Sequence, residues 1–352
     1  MHLDVEGSAP DAVTRPTHPA VTGLTVVTGA TGHIGNNLVR HLVAAGRRVR
    51  CLVLPGDDLQ PLAGLPVEVR WGDVRDPVAL REAFAGAALV YHLASMVSID
   101  PSDSPALEEV NVRGARRVAE ACLACGVERL VHTSSIHALA EPRPGVEIDE
   151  EQAFDPAAID TVYGRSKARG TREVLAAVER GLDAVVVCPT GVIGPHDYRP
   201  SPMGQLILDF ARRRLPAYVD GAYDFVDVRD VAAGMAAAAA RGRAGRSYIL
   251  SGQRLAVRQI LAILAELTGA PVPRLRIPRW CAYPAAGLLT LYGRLAGTRP
   301  LLTRDSVYTL GSNSHISHAR AARELGFRPH PVRGAIADAV AWFRERELPV
   351  RA

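Results

Sequence analysis

Between residues 26 and 38 the chain reads VVTGATGHIGNNL, with Gly29, Gly32 and Gly35 lying between a β-branched run, LTVVT (24–28), and a helical pattern. That pattern runs from Gly35 to Ala45 and puts Leu38, Val39, Leu42 and Val43 on one face. A strand that turns into a helix through glycines presents backbone N–H groups and the positive helix end with no Cβ in the way. Such a turn suits a pyrophosphate. The spacing is G-x-x-G-x-x-G rather than G-x-G-x-x-G, and a glycine triplet alone also occurs in merely structural turns. Its position at the first strand-to-helix junction of an alternating chain is what points to a dinucleotide.

The alternation continues. Strand candidates follow at VRCLVL (49–54), VEVRW (67–71), ALVYHL (88–93), RLVHTS (129–134) and DAVVVC (183–188), with helical patterns at Pro77–Phe84, Val110–Ala124 and Gly164–Glu179 between them. Strand, helix, strand in repetition predicts a parallel sheet with right-handed crossovers, and near-continuous apolar strands predict that both faces are covered. The fold class is therefore α/β, a doubly wound, Rossmann-like parallel sheet. Aromatics make up only 5% of the chain against 48% hydrophobic residues, so its core must be aliphatic.

After Pro189 the rhythm breaks. Residues 190–225 read as a loop-dominated insert with one helix near Met203–Arg214, followed by a helix from Val231 to Ala240 capped by Asp230 and a strand SYIL (247–250). The remainder, 257–352, reads as mostly helical and ends in Gly334–Arg346. The expected organisation is a disordered tail (1–22), a dinucleotide-binding domain (23–189, with 225–252 returning to it) and a smaller, mostly helical substrate lobe (190–224 and 253–352). The cleft between the lobes is the expected ligand site.

Several function classes are disfavoured. The chain carries 41 Lys+Arg against 37 Asp+Glu, a net +4 too diffuse to argue for nucleic acid. No run of about 18 apolar residues predicts a membrane-spanning helix. WCAYPAAGLLTLYGRL (280–295) either packs under the lobe, lines a pocket or touches a membrane peripherally. The first 22 residues lack the continuous apolar stretch of a secretory signal, and the five cysteines are an odd number, so a reducing, cytoplasmic setting is expected. Cys122 and Cys125 form a C-x-x-C without a second ligand pair near in sequence, and are read as packing residues, with no metal expected.

Tyr163-Gly-Arg-Ser-Lys167 sets a phenol and an ammonium four residues apart, one above the other on a helix face. A phenol near its ordinary pKa of about 10 is a poor acid–base catalyst at neutral pH, and an adjacent ammonium is expected to lower it. A third group is available at the end of the fifth strand in LVHTSSIHAL (130–139), where Ser134 and Ser135 are candidates to hydrogen-bond a carbonyl oxygen.

With the glycine turn, the serines and the Tyr/Lys pair in this order, the sequence resembles the extended short-chain dehydrogenase/reductase superfamily over about residues 24–346. It is most similar to the dihydroflavonol-reductase-like and 3β-hydroxysteroid-dehydrogenase-like branch, through PTGVIGP (189–195), DFVDVRDVA (224–232), ILSG (249–252) and LGFRPHPVRGAIADAVAWF (325–343). The resemblance implies catalysis by Ser135, Tyr163 and Lys167, with Lys167 also holding the nicotinamide ribose and Asn111 helping a proton relay. It implies a cofactor site formed by Gly29, Thr31, Gly32, His33, Ile34, Gly35, Asp73, Val74, Leu93, Ala94, Ser95, Thr133, Tyr163, Lys167, Pro189 and Val192. Substrate contacts would come from Met96, His137, Tyr198, Met203 and Tyr223.

Leu54 ends the second strand, followed by Asp57 and Asp58, whose carboxylates would accept from a ribose 2′-OH and disfavour a 2′-phosphate. NAD is therefore expected ahead of NADP, with Arg47, Arg48 and Arg50 keeping NADP open. Asp224 and Asp227 are read as loop braces. Sugar-nucleotide epimerases of the superfamily usually carry an Arg where this chain has Tyr223, and a phenol does not grip a diphosphate as a guanidinium does; Arg199 or Arg212 could substitute. The expected activity is interconversion of a hydroxyl and a carbonyl on a largely apolar small molecule, in a chain free to form a homodimer. The alternatives are a nucleotide-sugar epimerase or dehydratase with tightly held NAD and a non-catalytic NAD(P)H-binding protein.

Overall fold

A computed structural model describes residues 23–98, 103–143, 145–278, 280–284, 307, 310–312 and 314–346. The expected tail (1–22) and residues 285–295 of the apolar stretch lie outside the described residues.

The main sheet contains β1 (Leu24–Thr28), β2 (Val49–Val53), β3 (Glu68–Trp71), β4 (Ala87–His92), β5 (Arg129–Thr133), β6 (Ala184–Pro189) and, from much later in the chain, β10 (Ser247–Leu250). Their spatial order is β10-β6-β5-β4-β1-β2-β3, and every pair is parallel. The order reverses between β1 and β4. Ligands of open α/β sheets sit outside the carboxyl ends of the strands at such a point. Register aligns those ends: Thr28 is opposite His92, His92 opposite His132, and Thr133 opposite Val187.

Helices α1 (His33–Ala44), α2 (Pro77–Phe84), α3 (Ser104–Leu107), α4 (Gly114–Ala124), α5 (Val162–Val178), α6 (Pro202–Ala211), α7 (Val228–Arg241), α8 (Val257–Thr268) and α9 (Val332–Glu345) complete the frame. Side-chain oxygens start several of them: Asp76 accepts from Val78 N–H, Thr161 from Gly164 N–H and Ser201 from Gly204 N–H. On one face of the sheet, Leu38, Val39 and Leu42 of α1 pack with Val231 and Met235 of α7. On the other, Phe84, Val118, Cys122 and Val174 form a second layer, with Cys125 packed at its edge. A third cluster, including Phe210, Leu264, Ile336 and Phe343, packs α6, α8 and α9 together with Val186 and Cys188 of β6. Each such large side chain contributes about 1.5–3 kcal/mol on leaving water.

Two sequence expectations need correction. Helix α7 begins three residues earlier than expected, because Asp227 rather than Asp230 caps it by accepting from Arg229 N–H. Asp230 lies inside the first turn and accepts instead from the His330 backbone N–H and ring. The insert is also less loop-like than its glycines and prolines suggest. It holds β7 (Gly191–Ile193) and β8 (Ala217–Val219) and leads into β9 (Ala222–Asp227). Strand β9 pairs with β7 in parallel and with β11 (Gln253–Ala256) in antiparallel fashion, while β8 pairs with β12 (Leu275–Ile277). Asp224 braces this region as expected, accepting from Thr190 Oγ1 at 2.7 Å and Gly252 N–H at 2.9 Å.

Candidate functional site

At the first strand-to-helix turn, Gly29 has φ +69°, and a Cβ built there would lie 2.6 Å from Ala94 N. A Cβ on Gly35 would lie 2.0 Å from Gly29 O. Both positions therefore require glycine, and the turn stays flush against the end of β4, where Thr28 Oγ1 accepts from Leu93 and Ala94 N–H, each at 3.2 Å. Helix α1 starts at Gly32 with no side-chain cap, so its first amides remain available to an anion. Thr133 Oγ1, at the end of β5, is a buried hydroxyl without a partner. A dinucleotide fits these features: its phosphates would take the uncapped amides of α1, in a cradle that any Cβ would fill.

The remaining cofactor candidates divide by what they already bind. Thr31 Oγ1 donates to Asp57 at 2.8 Å, which joins Asp57 to the glycine turn. Asp58 instead accepts from Gln60 N–H and caps a surface turn, so the structure separates the two carboxylates. Asp73 is bound by the Arg75 backbone and guanidinium, which hold its carboxyl below the usual range. Val74 is buried, Ile34, Leu93, Ala94, Ser95 and Val192 are half-buried, and Pro189 ends β6. Arg47, Arg48 and Arg50 lie just before or at the start of β2, about 10–20 Å of strand from its carboxyl end. Arg47 donates to Thr25 Oγ1 and Arg50 to the Ala83 and Ala85 carbonyls, so these arginines do not bear on cofactor choice.

The candidate reacting groups meet at the end of β5 and the first turns of α5. Ser135 lies beside Tyr163, whose hydroxyl pKa it lowers, and accepts from His137 N–H at 3.2 Å. Lys167 Nζ donates to the Thr133 carbonyl at 2.7 Å. Ser134 is turned away, bonded to Thr171 Oγ1 at 2.7 Å. The expectation that the ammonium lowers the phenol is overturned: burial pushes Tyr163 up to about 12, opposed by Ser135 beside it. Burial also brings Lys167 down to about 8. Beneath them two buried imidazoles, His92 and His132, lie 5.4 Å apart, and burial holds His92 down at about 3.

The Asn111 side chain acts as a brace. It lies in Glu108–Arg113, a π-helical step between α3 and α4. Its Oδ1 accepts from Ser95 Oγ and Met96 N–H, and its Nδ2 donates to Met96 O and Ser166 Oγ. All four bonds use the amide.

Of the substrate candidates, His137 and Tyr223 meet: His137 Nε2 is 3.0 Å from the Tyr223 hydroxyl, with the rings stacked at 5.7 Å. Burial holds His137 down at about 4 and pushes Tyr223 up, so both are neutral near pH 7. Met96 is held at its backbone by Asn111, and Met203 packs against the lobe's core at the start of α6. Tyr198 lies elsewhere: it receives Arg40 at 3.1 Å, packs edge-on against Trp342 at 5.2 Å and carries the Arg346 guanidinium over its ring. Arg199, the substitute diphosphate grip considered from the sequence, is placed on Asp57 at 2.7 Å, beside the glycine turn. Of the apolar stretch only Trp280–Pro284 is described, with Trp280 78% exposed. No helix among the described residues is long and apolar enough to cross a membrane.

The sequence reading missed one contact system. His33, Asn36, Asn37 and Arg40, at spacings of three, four and seven along α1, bond the loop 195–198 through Pro195 O, His196 O and the Tyr198 hydroxyl. Two polar side chains buried on a core helix, Asn36 and Asn37, carry a signal of this in their i, i+3, i+4, i+7 spacing with His33 and Arg40.

The profile of the NAD dependent epimerase/dehydratase family matches residues 25–251. Sterol demethylase protein B of Methylococcus capsulatus is 42% identical over 326 residues, covering 92% of this chain and 99% of that protein. A putative dihydroflavonol 4-reductase of Synechocystis sp. is 35% identical, covering 90% of this chain and 94% of that one. The crystal structure of gox2253 superposes with a TM-score of 0.81 at 35% identity, over 92% of this chain and 99% of that one. With that match, those identities and a glycine cradle that fits the cofactor, the chain belongs to the NAD-dependent epimerase/dehydratase family of extended short-chain dehydrogenases/reductases, as an NAD(P)-dependent oxidoreductase.

Proposed function

We infer that the protein interconverts a hydroxyl and a carbonyl on a largely apolar, ring-bearing small molecule, of sterol or flavonoid size. The observation that carries this reading is the Tyr223–His137 pair. At the position where a diphosphate-binding enzyme needs a guanidinium, the chain puts a phenol already committed to a neutral imidazole. A wall of two stacked neutral rings favours an apolar face over a pyrophosphate. The names of the similar proteins, a sterol demethylase protein and a putative dihydroflavonol reductase, support the same substrate class.

The bound nicotinamide supplies hydride exchange at the carbonyl carbon. Tyr163 gives its hydroxyl proton to the oxygen in reduction, and at its raised pKa it is a neutral donor throughout the physiological range. Ser135, which neighbours that hydroxyl, orients the substrate oxygen beside it. The Lys167 ammonium, fixed by the Thr133 carbonyl, offsets the negative charge left on the phenol. Asn111 fixes the loop at Ser95 and Met96 that closes the crevice. Asp57 accepts from the adenosine ribose, which favours NAD.

The test is oxidation of reduced cofactor by purified protein with a steroid ketone or a dihydroflavonol, beside a chromatographic assay for conversion of UDP-glucose with NAD present. A ketone should be turned over, and Tyr163→Phe should lose at least about a hundredfold of that rate while still binding cofactor. Turnover of UDP-glucose, or thermal stabilisation by micromolar UDP with no response to the ketones, would replace this reading with the epimerase one.

A further inference from the structure

The end of β2 holds Leu54, so the nearest residues in sequence supply no cation to a 2′-phosphate, and the arginines before β2 are bonded at the wrong end of the strand. A cation nevertheless reaches this place from 142 residues further along the chain. Arg199 Nη2 donates to Asp57 Oδ1 at 2.7 Å, while Thr31 Oγ1 of the glycine turn donates to Asp57 Oδ2 at 2.8 Å. The carboxylate is thus shared between the glycine turn and a guanidinium from the smaller lobe.

The position of Arg199 is built into the fold. The polar stripe of α1 fixes three of the four residues before it: His33 and Asn37 hold Pro195 O, each at 3.1 Å, Asn36 holds His196 O at 3.0 Å, and Arg40 meets the Tyr198 hydroxyl. His196 takes the left-handed conformation, φ +63°, which turns the loop back along the helix. Just beyond, Asp197 Oδ2 accepts from Ser201 N–H and ties the far side of the loop. A five-residue segment held at both ends leaves Arg199 little choice of direction.

The guanidinium itself is lightly committed. Its side chain is 62% exposed against 19% for Asp57, and among the described residues its only partner is that carboxylate. A largely exposed ion pair is weak and its partners exchange readily. The fork has five N–H donors, so most remain free for a phosphate while one terminal nitrogen stays on Asp57.

We propose that Arg199 is the cofactor-discriminating residue of this enzyme: it neutralises Asp57 and offers its free donors to a ribose 2′-phosphate, so that NADP is accepted alongside NAD. The inference rests on the assignment of the glycine turn and Asp57 to the adenosine half of the cofactor. Asp57 alone would repel a 2′-phosphate; with Arg199 beside it the preference for NAD becomes shallow.

The experiment is calorimetric titration of the purified full chain with NADH, NADPH, AMP and adenosine 2′,5′-bisphosphate, for the unmodified protein, Arg199→Ala and Arg199→Lys. The unmodified protein should bind NADPH within about tenfold of NADH, and its NADPH affinity should fall more steeply with salt. Arg199→Ala should move the NADPH-to-NADH ratio of dissociation constants by at least about tenfold towards NADH, and Arg199→Lys should recover part of it. The two nicotinamide-free probes should shift in the same sense, which removes any contribution from the reacting end. A ratio that Arg199→Ala leaves where it was, with both cofactors still bound, overturns the role of Arg199 and spares the cofactor site. Failure of all four ligands to bind the unmodified protein overturns the site assignment as well.

Discussion

Lys167 is the reacting-site group whose charge changes closest to neutral pH, because burial brings its ammonium down to about 8 while Tyr163 is pushed up to about 12. In carbonyl reduction the phenol is the proton donor and is protonated at every working pH, so it contributes no limb to the profile. The ammonium is present below about pH 8 and lost above it, and with it goes the charge that offsets a developing phenolate. The rate of ketone reduction, as kcat/KM, should therefore be level below pH 8 and fall about tenfold per pH unit above it. Lys167→Arg should carry that alkaline limb beyond pH 10, because a guanidinium stays charged. A wild-type profile flat from pH 7 to 9.5 would remove Lys167 from this role. The Tyr/Lys pairing itself was legible in the sequence, since residues four apart on a helix must be neighbours. Its electrostatics were not, because burial is set by what packs around the helix, and no spacing within it records that.

At the scale of elements, α5 and the π-helical step at Glu108–Arg113 are pressed together through Gly170. A Cβ there would lie 2.0 Å from the Asn111 carbonyl oxygen, a backbone atom that cannot swing aside. On an open helix face Gly→Ala stabilises by about 1 kcal/mol. Here the sign reverses, and Gly170→Ala should destabilise by about 1–3 kcal/mol in urea unfolding while displacing Asn111 from the Ser95–Met96 loop, which lowers turnover as well. A variant more stable than the parent would contradict the contact. The long elements, β1 to β6 and α1, α2, α4 and α5, were readable because each satisfies its own periodicity over several residues. The short strands outside the main sheet were not: β7 and β8 have three residues each, too few to show alternation, and exist because β9 and β12 respectively supply partners from further along the chain. The same limit hid Arg199 on Asp57. Two residues 142 apart in the chain meet only because α1 holds the intervening loop in place.

Across the whole molecule, folding takes four imidazoles out of water and keeps them neutral. Burial lowers His92 to about 3, His137 and His196 to about 4, and His132 well below its ordinary value. In the unfolded chain each regains a pKa near 6.5 and takes up a proton as the pH drops below it. Groups with a depressed folded-state pKa contribute stability that is complete above the unfolded value and is lost as pH falls towards the folded one. Three of the four serve the site directly: His92 and His132 underlie Lys167, which itself helps to hold them neutral, and His137 bonds Tyr223. His330 runs the other way, since Asp230 raises it and its share of stability disappears as pH rises, but it is fully exposed and its effect is correspondingly screened. The net expectation is a protein that loses stability between pH 6.5 and 5, a window in which carboxylates of ordinary pKa stay ionised. Unfolding near pH 5.5 should take up on the order of three protons. Urea unfolding at half-unit pH steps measures this directly as the slope of unfolding free energy against pH. A slope near zero between 6.5 and 5 would mean that these histidines reach water or gain acidic partners in the folded state, and would remove the dry floor of neutral imidazoles beneath Lys167 on which the proposed chemistry depends.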